Sequence, residues 1–327
     1  MKVATAKVLL PVLGKPMVQW VLSAARGAGV EDCCLIVGKD WQQVEQCVGG
    51  EAEYALQMER KGTGHAVMQA DDFLRRHAGG HCVVLAGDCP LLSQKTLEEA
   101  FALHEREHNA VTVISARLSD PYGYGRVIRD GQGGLLRIVE EKDANEEQRL
   151  VQEINSSAYW FEVDALLEAL PLLDNRNAKG EYYLTDAIEI LLRGGRRAGV
   201  FEAIDSDEIL GANTQKQLLT LQKVAQAKVL ERHLDNGVMI TSDDGLVIGP
   251  DVVIGRGTVI HAGSRLTGDT RVGEDCLLGP AAVVEDSLLG DGVTVVSSQI
   301  EKSVVGAHTR IGPYAHIRPD CVIAEKV

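Results

Sequence analysis

The sequence predicts a chain in two parts, an α/β domain on a largely parallel sheet followed by a parallel β-helix of hexapeptide repeats. Three observations predict it. Short apolar runs alternate with helical patterns up to about Asp205, one long amphipathic segment follows, and beyond that an aliphatic residue recurs at every sixth position. A length of 327 residues also suits two cores better than one.

In the first part, CCLIVG leads into a helical pattern, VVLAGDCPLL into TLEEAFALHEREH, and AVTVISA follows; the alternation reads as βα units. Between Gly123 and Glu140 the runs GRVIRD and LLRIVEE flank the turn-rich DGQGG, which predicts a hairpin inserted in the sheet domain. Leu218, Leu221, Ala225 and Val229, three or four residues apart, make the stretch from Thr214 to Leu234 one amphipathic helix that stops near Asn236-Gly237. The expected boundaries are therefore 1–213 for the sheet domain, 214–237 for a connecting helix and 238–327 for the β-helix.

The β-helix signal is the strongest. Aliphatic residues fall at Ile248, Ile254, Ile260, Leu266, Val272, Leu278 and Val284, and in a second register at Val305, Ile311, Ile317 and Ile323. Each short strand points its aliphatic side chain inward. Gly249-Pro250-Asp251, Gly273-Glu274-Asp275 and Gly290-Asp291-Gly292 turn the corners. The stretch VVSSQIEKSVVG breaks the register.

Lys and Arg total 33 against 47 Asp and Glu, a net charge of -14. Such a surface repels phosphate backbones and anionic lipid, so neither nucleic acid nor membrane is an expected partner. A nucleotide can still bind where backbone N–H groups, a lysine and a divalent cation outweigh that field. Seven cysteines, an odd number with no C-x-x-C, read as reduced, buried thiols. No stretch approaches the roughly 20 apolar residues of a spanning helix, and a cytoplasmic location is expected.

Asp88 follows VVLAG at the carboxyl end of a buried strand, where open α/β sheets bind ligands; it either holds Mg²⁺ or caps a turn. LQMERKGTGHA, from Leu56 to Ala66, places two glycines and a threonine before a helix, a pattern that suits an anion or a planar base and equally an ordinary tight turn. Pro121 to Arg126, PYGYGR, is a second glycine-rich loop. Glu140, Asn155 and KGEYYLTD, from Lys179 to Asp186, carry the hydroxyl, amide and carboxyl groups that read a sugar. His104 to His108 spells H-E-x-x-H, the zinc pattern, but in a run of charges without an evident third ligand, and it is expected to be a solvated helix face.

Lys7-Val8-Leu9 with Gly14-Lys15-Pro16-Met17, LQMERKGTGHA, LAGDCPL, DPYGYGR, VEEKDA with QEIN, KGEYYLTDAI and the hexapeptide repeats occur in one order. That order resembles the bifunctional N-acetylglucosamine-1-phosphate uridylyltransferase/glucosamine-1-phosphate N-acetyltransferase over almost the whole chain. The resemblance implies a Rossmann-like nucleotidyltransferase sheet domain and a partial left-handed β-helix. It implies transfer of uridylyl from UTP to N-acetylglucosamine 1-phosphate with Mg²⁺ as cofactor, in a homotrimer formed through the β-helix. Lys7 would neutralise phosphate and share catalysis with Asp88; Gln57, Gly62 and Thr63, with Ala86, Gly87 and Asp88, would bind the nucleotide; Asp88 and Asn213 would hold the metal. Gly125, Glu140, Asn155, Tyr183 and Thr185 would face the sugar phosphate.

Departures from the family pattern set further expectations. Family members open with a strand and a loop of the form L-x-A-G-x-G-T-R-M, and this chain begins at the last of those residues. The β-helix stops at Val327, so Arg318 alone matches the acetyltransferase site. Impaired uridylyl transfer and no acetyl transfer are expected on that basis. Ser157 stands where the family pattern has Gly. The alternatives are a nucleotidyltransferase for another sugar phosphate or nucleotide, and a non-catalytic fragment that trimerises.

Overall fold

The computed structural model describes residues 5–39 and 41–327; Met1, where the resemblance begins, lies outside them. The chain forms two compact units. One holds the residues up to Leu10 and Met17–Ala212, the other Pro11–Pro16 and Asn213–Val327. The six-residue excursion into the second unit is a small antiparallel hairpin, Pro11–Val12 (β1) and Lys15–Pro16 (β2), which turns through Leu13 and Gly14 in left-handed conformation. Within that unit the Lys15 ammonium lies 2.9 Å from the Asp251 carboxylate.

The first unit continues with α1 (Met17–Gly27), β3 (Cys34–Val37), α2 (Trp41–Val48), β4 (Glu53–Leu56), α3 (Thr63–Met68), α4 (Asp71–Arg76), β5 (His81–Val84) and α5 (Gln94–Arg106). Then come β6 (Val111–Arg117), β7 (Arg126–Arg129), β8 (Leu135–Val139), α6 (Glu146–Arg149), β9 (Glu153–Glu162), α7 (Val163–Ala169), α8 (Asp186–Arg193) and β10 (Ala198–Glu202). The βα alternation is as the apolar runs predict. α5 starts where Ser93 Oγ accepts the Thr96 N–H at 3.1 Å, an N-cap that satisfies one free amide of the first turn.

The sheet is more mixed than the sequence reading has it. β10 runs parallel to β6, but β9 runs antiparallel to β5, β6 and β7. β3 and β4 pair in parallel as a separate two-stranded ribbon. A strand of ten residues such as β9, with eight of them buried, spans several neighbours and reverses the direction of the sheet around itself. The predicted hairpin is β7 and β8; its turn is closed by Asp130, whose Oδ1 accepts the N–H groups of Gln132 and Gly134, both at 2.8 Å. Val113, Ile114, Ile154, Phe161 and Leu166 are fully buried at the centre.

The second unit opens with α9 (Gln215–Asp235), capped by Thr214 Oγ1 and burying Leu218, Leu221, Ala225 and Val229 as the spacing predicts. Three parallel sheets of five short strands each follow, one per face of a left-handed β-helix. The interior residues named from the period, from Ile248 to Val284, are 0 to 6% exposed. The irregular stretch has a simple geometry. Ile248 pairs with Leu266, eighteen residues on, whereas Val284 pairs with Ile300, sixteen on. The shortened corners pass through Asp286, Ser297 and Lys302 in left-handed conformation, so one residue does the work of two and the next aliphatic side chain still faces inward.

Candidate functional site

Gly62 is the residue around which the first loop is built. Its φ of 107° suits glycine, and a side chain there would run into the Tyr182 carbonyl. This close approach stitches the loop to the distant KGEYYLTD segment. Tyr182 N–H donates to the Lys61 carbonyl at 2.7 Å, Gly64 N–H to the Tyr182 carbonyl at 2.8 Å, and Leu184 N–H to Thr63 Oγ1 at 3.0 Å. Gln57, at the carboxyl end of β4, donates from Nε2 to the Gly62 carbonyl at 3.1 Å. Gln57, Gly62, Thr63, Tyr183 and Thr185 therefore belong to one neighbourhood, assembled from segments some 120 residues apart.

The second loop closes on the same region. A side chain on Gly125 would lie 3.5 Å from Glu140 Oε1 and 3.6 Å from Asn155 Cβ, and Asn155 N–H donates to the Gly125 carbonyl at 2.9 Å. Thr185 Oγ1 lies 3.4 Å from Glu140 Oε1. Asn155 is buried, with its Nδ2 donating to the Tyr159 hydroxyl at 2.6 Å and its Oδ1 accepting the Ser157 N–H at 3.1 Å. Gly125, Glu140, Asn155, Tyr183 and Thr185 thus converge. Glu140, Tyr183 and Thr185 line a cavity of about 820 Å³ together with Gln57, Thr63 and Gly87. The Tyr183 hydroxyl is buried and makes no hydrogen bond among the described residues.

Burial dominates the electrostatics of this pocket, with neighbouring carboxylates adding to it. Burial raises the Glu140 carboxyl above its usual range, against the pull of Lys179 and Thr185. Asp186 is pushed up to about 6 by burial and by Asp174, Glu189, Glu140 and Asp143. The Lys179 ammonium stands 5.7 Å from the centroid of the Tyr183 ring.

Asp88 lies in the turn that follows β5, where Cys89 N–H donates back to the Ala86 carbonyl at 3.1 Å. Lys7, in a single 3₁₀ turn from Lys7 to Leu9, forms an ion pair with its carboxylate. Gly87 packs beside Val8, and Ala212 N–H, one residue before Asn213, donates to the Asp88 carbonyl at 3.3 Å. Asn213 itself opens the second unit, where its N–H donates to Gln217 Oε1 at 2.9 Å. Arg318 is exposed on the β-helix and its carbonyl accepts the Ser303 hydroxyl at 2.8 Å.

Three features add to the sequence reading or correct it. The first is Arg126, 1% exposed, whose Nη1 donates to the Tyr124 carbonyl and whose Nη2 donates to Glu141 Oε2 at 2.7 Å; the same oxygen accepts the Gly123 N–H at 3.2 Å. This pair fixes the loop that carries Gly125, and the adjacency of R to YGYG was its only trace in the sequence. The second is Ser157, whose φ of 63° explains why a glycine is the natural residue there.

The third is a correction. His104 is not on a solvated face: it is fully buried, with Nδ1 3.0 Å from Thr112 Oγ1 and Nε2 3.1 Å from His81 Nδ1. Burial, reinforced by His81, pushes its pKa down to about 4. His108, by contrast, is exposed with φ 50° beyond the helix end. One residue looks into the core and the other out, so H-E-x-x-H holds no metal. All seven cysteines are free thiols, and burial pushes both Cys82 and Cys89 up to about 12, which leaves them inert.

The α/β sheet with its stitched glycine loop and polar groups gathered beyond the strand ends belongs to an enzyme of the nucleotidyltransferase class, for residues 3–209 match the Nucleotidyl transferase family. Relatives carry the match through the β-helix. The bifunctional protein GlmU of Caldanaerobacter subterraneus subsp. tengcongensis is 45% identical over 323 residues, 99% of this chain and 70% of that protein. Those of Acetivibrio thermocellus and Enterococcus faecalis are 41% and 42% identical over 327 residues, all of this chain and 71% of each protein. The chain belongs to the GlmU family.

Proposed function

We propose that the first unit transfers uridylyl from UTP to N-acetylglucosamine 1-phosphate. The observation that carries this reading is the convergence of Gly125, Glu140, Asn155 and Thr185 beside the buried, unpartnered Tyr183 hydroxyl. An orphaned buried donor costs roughly 1–3 kcal/mol, which a sugar oxygen in the pocket recovers. Gln57, Gly62 and Thr63 suit a planar base, because the Gln57 amide and the glycine loop meet at the carboxyl end of β4. An oxygen of the sugar phosphate attacks the α-phosphorus of UTP, a P–O bond forms, the bond to the bridging oxygen breaks, and pyrophosphate leaves. That nucleophile is already anionic, so no general base is needed and the protein's task is alignment and charge neutralisation.

Lys7 serves the second task by pairing with phosphate in place of Asp88. The Asp88 carboxylate suits Mg²⁺, which takes few protein oxygens and leaves positions for phosphate and water, and the resemblance assigns Asn213 to the same ion. Asp88 already faces one cation, the Lys7 ammonium. When bound, Mg²⁺ offsets charge on the triphosphate and the leaving pyrophosphate.

We assign transfer to residues 1–213, connection to 214–237 and assembly to 238–327, as a homotrimer in the cytoplasm. Leu288, Val304 and Val322 stand exposed in register on one face of the β-helix, after Val253 and Arg271 on the earlier coils of that face, an apolar row that supports self-association. No helix among the described residues is long and apolar enough to cross a membrane.

Calorimetric titration with UTP and with N-acetylglucosamine 1-phosphate, alongside Mg²⁺-dependent pyrophosphate release, tests the assignment. Asn155→Ala and Thr185→Ala are expected to weaken the sugar phosphate about tenfold or more and to spare UTP. Gln57→Ala should do the reverse, and Asp88→Ala or Asn213→Ala should abolish release. Tighter binding of another nucleotide or another sugar phosphate replaces the reading. Sedimentation that shows only monomer rules out the trimer.

A further inference from the structure

Gln57 and His65 lie on either side of the turn that Gly62 makes, and their side chains meet. Gln57 Nε2 stands 3.1 Å from the Gly62 carbonyl oxygen and 3.0 Å from His65 Nδ1. A carbonyl can only accept, so the nitrogen of the amide, and not its oxygen, faces Gly62. One amide hydrogen is left for His65. Two donors cannot share that contact, so Nδ1 is the bare nitrogen and the ring carries its proton on Nε2.

The ring is held from two sides. Its backbone belongs to α3, and its face tilts against Tyr182 with centroids 6.3 Å apart, where Tyr182 is itself tied to Lys61 and Gly64. Gln69 donates from Nε2 to the His65 carbonyl at 2.9 Å and stands 3.5 Å from His65 Nε2. That longer contact asks for the other tautomer. It lies at the limit of hydrogen-bonding distance and comes from an exposed side chain that can turn to water, so the 3.0 Å contact decides.

We propose that His65 is a positioning residue that selects the base: by accepting the second Nε2 hydrogen it locks the Gln57 amide so that Oε1, an acceptor, is the group a nucleotide meets. The inference rests on the uridylyl reading above. Oε1 accepts no hydrogen bond among the described residues, and Gln57 lines the pocket. A uracil ring carries a hydrogen on the nitrogen between its two carbonyls and can donate it to that oxygen. A cytosine ring has a bare nitrogen at the same place, and two acceptors then face each other. To receive cytosine the amide must turn over, which gives up the Gly62 bond and sets Oε1 against the bare Nδ1 of His65. A site built to bond an N–H in this way rejects the analogue that lacks it.

Two measurements on the full chain test the proposal. In the nucleotide-free protein at alkaline pH, proton–nitrogen NMR correlations of the histidine rings should show His65 with its hydrogen on Nε2; a hydrogen on Nδ1 overturns the inference whatever nucleotide binds. In calorimetric titrations with UTP and CTP in the presence of Mg²⁺, the parent chain should favour UTP. His65→Ala should bind CTP about tenfold more tightly than the parent does and UTP nearly as well, because the amide is then free to turn. His65→Asn, whose Oδ1 takes the place of Nδ1, should restore the preference. If His65→Ala weakens both nucleotides alike, or keeps the whole preference, the His65 inference falls and the uridylyl reading stands. If the parent chain shows no preference for UTP, both fall together.

Discussion

In the β-helix Val253 pairs with Arg271, eighteen residues on, and each later coil pairs with the next at a spacing of sixteen to eighteen residues. In the sheet unit Leu184 reaches back 121 residues to Thr63, and Lys7 pairs with Asp88 across 81. The first arrangement is written in a period; the second is written nowhere along the chain and exists only once helices and strands have packed. The β-helix gains stability from many equivalent aliphatic contacts, each replaceable by a similar residue. In the sheet unit single residues hold unrelated segments together, and a change of one atom is felt at the pocket.

Gly62→Ala presses hardest on this contrast. Left-handed strain and overlap with the Tyr182 backbone add to about 4 kcal/mol lost in urea unfolding, together with loss of nucleotide binding. An exposed control, Gly123→Ala, has the same handedness but open space around it and should cost about 1 kcal/mol. In the β-helix, Leu278→Ala removes a fully buried side chain and should cost about 3 kcal/mol, with Leu278→Ile nearly neutral because the period asks only for an aliphatic group.

His104→Ala should cost about 2 kcal/mol at neutral pH, since Thr112 and His81 lose their partner. A surface histidine would give no change. The pH dependence follows from the lowered pKa: the neutral ring contributes its full share above 6.5, and that share is lost as pH falls toward 4. His233, buried in α9 and likewise pushed down to about 4 by its burial, gives the β-helix unit the same acid window. Unfolding midpoints measured across that range should fall less steeply for His104→Ala than for the parent chain.

Asp186 has the opposite sign. Its pKa is raised to about 6 by burial and neighbouring carboxylates, so stability is lost as pH rises through that value. Asp186→Asn should stabilise the chain by about 1 kcal/mol at pH 7, after allowance for solvent screening, and by nothing near pH 4. Ser157→Gly has the smallest expected effect, a gain of about 0.5 kcal/mol from relief of the left-handed backbone, readable in thermal melts.

The interior of the β-helix, the capped helix α9, the β7–β8 hairpin and the strand that delivers Asp88 were legible because each depends on neighbours within a few residues or one period. Gln57, Gly62, Asn155 and Thr185 were singled out as polar or glycine residues at strand ends, but their convergence came from resemblance rather than from any pattern in the chain. Tertiary structure alone decided that His104 faces inward, that Arg126 and Glu141 brace the Gly125 loop and that β9 reverses the sheet. Burial, backbone handedness and strand pairing are properties of packing between distant segments, and a side chain's type says what it can do there without saying which segment it will meet.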